Sequence, residues 1–137
     1  MAEPRAFISF DFDHNEVSRR LFAGQGKTDS PTPFIVHDWS SKEDLPQDEW
    51  EELISEKISR CHLMIVLVGR SMGSANGVSK EIQFAKDGNV PYFGVYVDGA
   101  DSNSTLPSGL VRNRVISWKW PSIASAIDQM MGEGKNK

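Results

Sequence analysis

Glu81 is the ionisable residue whose setting in the sequence is most informative about chemistry. It lies within residues 76–87, where Val78 and Ile82 belong to the apolar stripe of a helix that packs against a core. At about 100° per residue, Glu81 falls about 60° from Val78, on the border of that stripe. From there its carboxylate either faces a crevice, where it stabilises positive charge, or lies in solvent beside a basic neighbour such as Lys80. The periodicity leaves both alternatives open.

Two kinds of phosphate chemistry are not supported by the sequence. Gly-Gln-Gly-Lys-Thr at residues 24–28 is similar to the end of a phosphate-binding loop, but Leu21 stands where that motif needs glycine. A flexible loop is expected there instead. Asp11 and Asp13 follow the first predicted strand, as acidic residues do in a phospho-accepting receiver domain. The third predicted strand ends Val-Gly-Arg-Ser at residues 68–71, without the aspartate that such a domain phosphorylates.

The histidines and the single cysteine do not predict a metal site. His62 begins the third predicted strand, whereas His14 and His37 lie toward the opposite end of the sheet. The three side chains therefore cannot bind the same metal ion. Cys61 falls on the apolar stripe of its helix and is expected to be a buried, unreactive thiol. We therefore expect no metal, and a lone cysteine forms no disulfide within the chain.

The composition is that of one mildly acidic globular domain. The 137 residues carry a net charge of −4, with 39% hydrophobic and 25% charged side chains, as is typical of a soluble domain. We expect residues 1–132 to form this domain and residues 133–137 to be a disordered tail. The acidic balance argues against a nucleic-acid partner, and no apolar run approaches the roughly 18 residues of a membrane span. Without a signal-peptide pattern, a cytoplasmic location with no membrane contact is expected.

Strand and helix patterns alternate along the chain. Short runs rich in β-branched and aromatic residues predict five strands, at residues 6–10, 34–36, 62–69, 92–97 and 115–118. Apolar residues at helical spacing predict four helices, at residues 15–23, 47–60, 76–87 and from 121 onward. This alternation predicts an α/β fold, a three-layer flavodoxin-like sandwich with a five-stranded parallel sheet in the order 2-1-3-4-5.

The predicted fold also indicates where a ligand binds. In an open parallel sheet the site lies beyond the carboxyl ends of the strands, where the strand order reverses between strands 1 and 3. The segments at that edge are residues 10–14, 37–40 and 69–72, together with the start of the helix after strand 3. Glu81 then lies about one helical turn below the mouth of the site.

Several segments resemble the sequence boxes of TIR domains, and they occur in the same order. Phe-Ile-Ser-Phe at residues 7–10 resembles the opening Phe-Ile-Ser-Tyr box, and residues 37–45 resemble the end of strand 2 and the following BB loop. Residues 64–71 are similar to strand 3 and its serine-containing exit, and residues 78–82 to the Trp-Val-x-x-Glu-Ile motif. Together with Val-Ile-Ser-Trp at residues 115–118, they resemble the small prokaryotic TIR-like family that includes a component of the Thoeris antiphage defence system.

This resemblance implies an enzyme that breaks the nicotinamide–ribose bond of NAD. NAD is then the substrate, no further cofactor is needed, and the product is ADP-ribose, a cyclic isomer or another ADP-ribosyl signal. Glu81 matches the catalytic glutamate of the motif. The residues that we assign to substrate binding are Ser9, Phe10, Asp11, His37, Asp38, Arg70, Ser71 and Asn76.

The resemblance also implies partners and leaves an alternative function. In many TIR enzymes the BB loop of a neighbouring copy completes the site, so a homo-oligomer or an assembly formed on activation is expected. A downstream effector is reached through the signal molecule. Two positions depart from the family: Gly77 replaces a tryptophan, and Phe-Asp-Phe at residues 10–12 replaces Tyr-Arg-Arg. The alternative is a TIR-like protein-interaction module without catalysis, in which Glu81 is a surface residue.

Overall fold

Strands and helices alternate through the described length of the chain. The computed structural model describes residues 4–11, 16–28, 30, 34–39, 46–70 and 76–133. In chain order the elements are β1 (Arg5–Ser9), α1 (Glu16–Thr28), β2 (Ile35–Trp39), α2 (Gln47–Ser59), β3 (Leu63–Val68), α3 (Asn76–Asp87), β4 (Tyr92–Tyr96), a 3-10 turn (Arg112–Arg114), β5 (Val115–Ile116) and α4 (Trp120–Glu133).

Neighbouring strands of the sheet all pair in parallel. Their order is β2-β1-β3-β4-β5, so β1 and β3 lie side by side where the direction of strand addition reverses. β1 to β4 have five or six residues each, whereas β5 adds only two residues at the edge beside β4. The structure confirms an α/β fold with a parallel sheet. The last strand is shorter than predicted: it covers Val115–Ile116, whereas the prediction was residues 115–118.

Helices cover both faces of the sheet, and the strands alternate between them. Leu63, Ile65 and Leu67 of β3 belong to a core cluster with α1 and α4, and the residues between them belong to a cluster with α2 and α3. We call these two sides the α1–α4 face and the α2–α3 face. Because β3 is covered on both faces, it has no polar side, and this explains its continuous apolar run.

The α1–α4 face is rich in aromatic rings. Phe22 lies at the centre of this cluster, with ring centroids 5.9, 5.5 and 5.0 Å from those of Phe34, Trp118 and Trp120. The indole N–H of Trp120 also donates a hydrogen bond to Gln25 at 3.0 Å, which ties α4 to α1. Large rings from four parts of the chain therefore close this side of the core.

The course of α1 corrects a prediction. The helix was predicted to end at residue 23 and to be followed by a flexible loop at residues 24–28, but it continues to Thr28. The physical reason is a close approach at Gly26, where an added Cβ would lie 2.5 Å from Cζ of Phe34. Glycine here does not break the helix but lets it pass close to the buried ring.

The α2–α3 face is mostly aliphatic. The buried apolar side chains from its two helices include Ile54, Ile58, Val78, Ile82 and Ala85, and Phe7 of β1 is buried with them. The thiol of Cys61, just after α2, is buried among them, which confirms the prediction of its burial.

The last helix reaches slightly further than predicted. α4 ends at Glu133, the first residue assigned to the tail, and residues 134–137 lie outside the described part of the chain. Among the described helices, none combines the length and the apolar character needed to cross a membrane.

Candidate functional site

A buried hydrogen bond joins β1 to α3 at the carboxyl end of β1. The hydroxyl of Ser9, the last residue of β1, donates to Oε1 of Glu81 at 2.7 Å. Ser9 is 0% exposed and Glu81 is 1% exposed. The alternative in which Glu81 lies in solvent is therefore wrong. Its suggested neighbour Lys80 pairs instead with Glu51 of α2 at 3.1 Å.

Strand alternation and helical periodicity bring these two side chains together. Ser9 is two residues from Phe7, which packs on the α2–α3 face, and so it points to that same face. Glu81 lies between Val78 and Ile82, both buried on α3, so the helix turns the carboxylate inward with its apolar stripe. Burial of a carboxylate is unfavourable unless hydrogen bonds replace its hydration, and the Ser9 hydroxyl supplies one of them.

Phe10 follows Ser9 but packs on the opposite face of the sheet. Its ring is 2% exposed and belongs to the α1–α4 core. The guanidinium carbon of Arg19, on α1, lies 5.9 Å from the centre of this ring, within the range of a cation–π contact. Contact between a bound ligand and the covered side of Phe10 would require Arg19 to move. Arg19 was not predicted to lie here, because a cation on an amphipathic helix ordinarily faces solvent.

The segments after β3 and β4 meet at the same edge of the sheet. Arg70 is exposed just after β3, and a Cβ added to Gly99 would lie 2.3 Å from its Nη2. The guanidinium therefore packs against the turn after β4, where Gly99 has a φ of +78°. In the same turn Asp98 accepts a hydrogen bond from the hydroxyl of Ser18 at 2.5 Å, which ties α1 to this turn.

Five further residues were predicted at the site. Asp11 is half-buried two residues after β1. His37 and Asp38 lie in β2, next to β1, and Asn76 is the first residue of α3. Ser71 lies outside the described residues. The backbone of the described residues thus brings segments from β1, β2, β3 and α3 to the predicted region.

Trp50 of α2 lies beside the first turn of α3, a position that sequence reasoning missed. A Cβ added to Gly77 would be 3.8 Å from Cη2 of this indole. Gly77 and Glu81 are four residues apart and share one face of the helix, so Trp50 borders the region one turn above the carboxylate. The resemblance places a tryptophan at position 77 itself, whereas here the neighbouring helix supplies a ring. No local pattern could reveal this, because the contact joins two helices.

His62 lies at the opposite, amino end of the sheet, as predicted. Its Nδ1 accepts a hydrogen bond from the backbone N–H of Arg5 at 2.9 Å. Burial, and then the positive charge of Arg5, lower the pKa of His62 below its usual value of 6.5. Within the described part of the chain, no group of three His, Cys, Asp or Glu side chains is placed to hold a metal ion.

Among the described residues, Ser9 and Glu81 form a buried polar pair in the mainly apolar layer between the sheet and α3. A carboxylate held in place away from water can stabilise a developing positive charge or accept hydrogen bonds from hydroxyl groups. Arg70 supplies a cation at the same edge of the sheet. Both groups lie toward the edge of the sheet where an open parallel sheet binds a ligand.

Comparison with known proteins supports a specific family. Residues 7–102 match the model of the family described as "Thoeris protein ThsB, TIR-like domain". The chain is also similar to the crystal structure of a prokaryotic SEFIR domain, with a TM-score of 0.51 and 15% identity, covering 97% of this chain and 90% of that chain. At this identity the likeness shows the fold alone. No curated protein matches the chain. Because the matched segment spans more than half of the sequence and includes Glu81, the chain belongs to the TIR-like domain family of the Thoeris protein ThsB.

Proposed function

We propose that this protein cleaves the nicotinamide–ribose bond of NAD and thereby produces a signal in antiphage defence. The observation that carries the proposal is the burial of Glu81, held by Ser9 at the carboxyl end of β1, inside the family-matched segment. An ionisable side chain in an apolar layer destabilises a fold unless it is compensated, and such residues concentrate at functional sites. The Thoeris family description connects the chain to antiphage defence.

The chemistry requires stabilisation of positive charge. The C–N bond between ribose and nicotinamide breaks, and its electron pair goes to the ring nitrogen, so the cationic ring leaves as neutral nicotinamide. Positive charge then develops on the anomeric carbon and the ribose ring oxygen, as in glycoside cleavage. The carboxylate of Glu81 stabilises this charge and holds the ribose hydroxyls. Attack by water gives ADP-ribose and releases a proton, whereas attack by a nucleophile of the ADP-ribosyl group gives a cyclic product.

The rest of the dinucleotide is assigned to the other predicted residues. Arg70 and Ser71 bind the diphosphate, because a guanidinium and a hydroxyl are suitable donors to phosphate oxygens. Asp38 contacts either the adenosine or the protein loop that follows β2. NAD serves as the substrate without another cofactor. A second copy of the chain completes the site on activation, and a downstream effector responds to the product.

The test is incubation of concentrated protein with NAD, followed by chromatography of the nucleotides. Glu81→Gln is the test variant, and Glu51→Gln is its control, because it removes a carboxylate on the neighbouring helix that pairs with Lys80. We expect nicotinamide release by the wild type and by Glu51→Gln, and release slower by a factor on the order of 100 in Glu81→Gln. Equal rates of nicotinamide release by all three proteins would contradict a catalytic role for Glu81.

One observation favours a second candidate function, a TIR-like interaction module without catalysis. With 1% exposure, Glu81 meets a substrate only after the residues that cover it move. A module needs no such movement. It would show no nicotinamide release by the wild type, even with a crowding agent to promote assembly, and its binding to a partner protein would survive Glu81→Gln.

A further inference from the structure

We infer that Ser9 is a positioning residue for Glu81 and does not itself contact the substrate. The inference rests on the proposed function, since it assigns a role within the same site. Ser9 and Glu81 are 72 residues apart in the sequence. β1 is hydrogen-bonded to β2 on one side and β3 on the other, with Ser9 in register with Val66. The hydroxyl therefore projects from an interior strand of the sheet, where its position is well fixed.

The donor capacity of Ser9 is already used. A serine hydroxyl has one proton to donate, and here it goes to Oε1 of Glu81. Ser9 is also 0% exposed, so its side chain presents no surface to a ligand. To donate to a substrate Ser9 would have to give up this hydrogen bond, and any contact with a substrate would require the strand end to open. A role in holding Glu81 requires neither.

Positioning of the carboxylate has a direct consequence for the proposed reaction. A glutamate side chain has three rotatable bonds, and a hydrogen bond to one carboxylate oxygen selects one orientation of the group. Stabilisation of charge at the anomeric carbon depends on the placement of the carboxylate, and misplacement by about 1 Å can cost on the order of 100-fold in rate. Loss of the Ser9 hydroxyl should therefore lower kcat and leave KM nearly unchanged.

The chain contains another serine–carboxylate hydrogen bond that serves as a control, and its aspartate, Asp98, is exposed. Ser18 is 4% exposed, and its hydroxyl donates to Asp98 at 2.5 Å. This bond joins α1 to the turn after β4, on the other side of the sheet from Glu81. Ser18→Ala removes a bond of the same chemical type, so it reports the general effect of such a loss on the fold.

The experiment measures kcat and KM for NAD in the wild type, Ser9→Ala, Ser9→Thr and Ser18→Ala. We expect a fall in kcat of about 10- to 100-fold in Ser9→Ala, with KM within about twofold. Ser9→Thr keeps the hydroxyl and should recover most of the activity, and Ser18→Ala should stay within about twofold of the wild type. An unchanged kcat in Ser9→Ala, a rise in KM instead, or an equal loss in Ser18→Ala would overturn the inference.

A second readout does not depend on turnover. The 13C chemical shift of the Glu81 side-chain carboxyl, assigned by its disappearance in Glu81→Gln, should move in Ser9→Ala and stay in place in Ser18→Ala. If the wild type releases no nicotinamide, the proposed function fails, and this shift still decides whether Ser9 holds the carboxylate. An unmoved shift in Ser9→Ala contradicts the inference whatever the activity. If Ser9→Ala does not fold, Ser9→Cys provides the same measurement, because its thiol is a much weaker hydrogen-bond donor of similar size.

Discussion

On the α1–α4 face of the sheet the core is closed by a cluster of packed aromatic rings, whereas the mostly aliphatic α2–α3 face contains a buried glutamate. The first face has Phe22 in contact with three other rings. The second has the hydrogen bond between Ser9 and Glu81 at the carboxyl end of β1. Large rings bury much area and stabilise the fold. A polar pair adds little net stability, so the buried groups of the two faces contribute differently to the stability of the fold.

The same contrast appears at two helical glycines. A Cβ added to Gly26 on α1 would lie 2.5 Å from Phe34, inside the aromatic cluster. A Cβ added to Gly77 on α3 would lie 3.8 Å from Trp50, at an ordinary contact distance. The packing at Gly26 thus leaves no space for a methyl group, whereas the start of α3 leaves space at Gly77. The following predictions test this difference, from the largest expected effect to the smallest.

Removal of a ring from the aromatic cluster should have the largest effect on stability. Phe22 is 0% exposed, so Phe22→Ala should lower the free energy of unfolding by about 3–5 kcal/mol. Val17, on the same helix, is 70% exposed, so Val17→Ala should change it by less than about 0.5 kcal/mol. Urea denaturation measures both. A similar small change in the two variants would contradict the importance of the rings.

The polar pair should behave differently from the rings when both partners are replaced. Ser9→Ala leaves the Glu81 carboxylate without that donor and should lower the free energy of unfolding by about 1–3 kcal/mol. The double variant Ser9→Ala/Glu81→Met removes both polar groups and should unfold at nearly the wild-type urea concentration. A double variant that is less stable than Ser9→Ala would show that the pair itself holds the fold together.

Gly26→Ala should destabilise the aromatic side. The gain in helix propensity is smaller than the cost of displacing the buried Phe34 ring, so we expect a net loss of about 1–2 kcal/mol. Gly24, two residues earlier, has no atom within 4 Å of an added Cβ. Gly24→Ala is the control and should stabilise the protein slightly. Thermal denaturation that ranks these two variants in the opposite order would contradict the packing described here.

Gly77→Ala should stabilise the protein by about 0.5–1 kcal/mol. The added methyl group meets the Trp50 indole at a normal distance and reduces the freedom of the unfolded chain. The thermal midpoint of this variant should therefore rise. A lower midpoint would mean that Trp50 and the first turn of α3 are closer together than described.

The smallest effect should come from His62, away from both regions. The pKa of His62 is lowered by burial and then by the charge of Arg5, so the unfolded chain binds a proton more readily than the folded protein. Its contribution to stability is present above the unfolded pKa of 6.5 and is lost as the pH falls through the lower folded pKa. The difference in thermal midpoint between about pH 7.5 and about pH 5.5 should be smaller in His62→Asn than in the wild type. Equal differences would contradict the shift.

The sequence by itself determined the order and the approximate position of the strands and helices, because these depend on the local period of apolar residues. The continuous run at Leu63–Val68 predicted a strand covered on both faces, and the spacing around Val78 predicted the helix Asn76–Asp87. The alternation of these elements predicted an α/β fold with a parallel sheet. It also predicted the edge of the sheet at which a ligand is expected to bind.

Only the tertiary structure decided which residues of different elements are in contact. Periodicity placed Glu81 on the border of its stripe, and the partner that settles its burial, Ser9, is 72 residues away. The glycines before Thr28 predict a loop by their residue type alone, but they form a helix in which Gly26 packs against Phe34 from outside the helix. The position of Trp50 beside Gly77 likewise depends on the packing of two separate helices. Periodicity is a property of neighbouring residues, whereas burial, close approach and hydrogen bonding between elements depend on how distant segments pack.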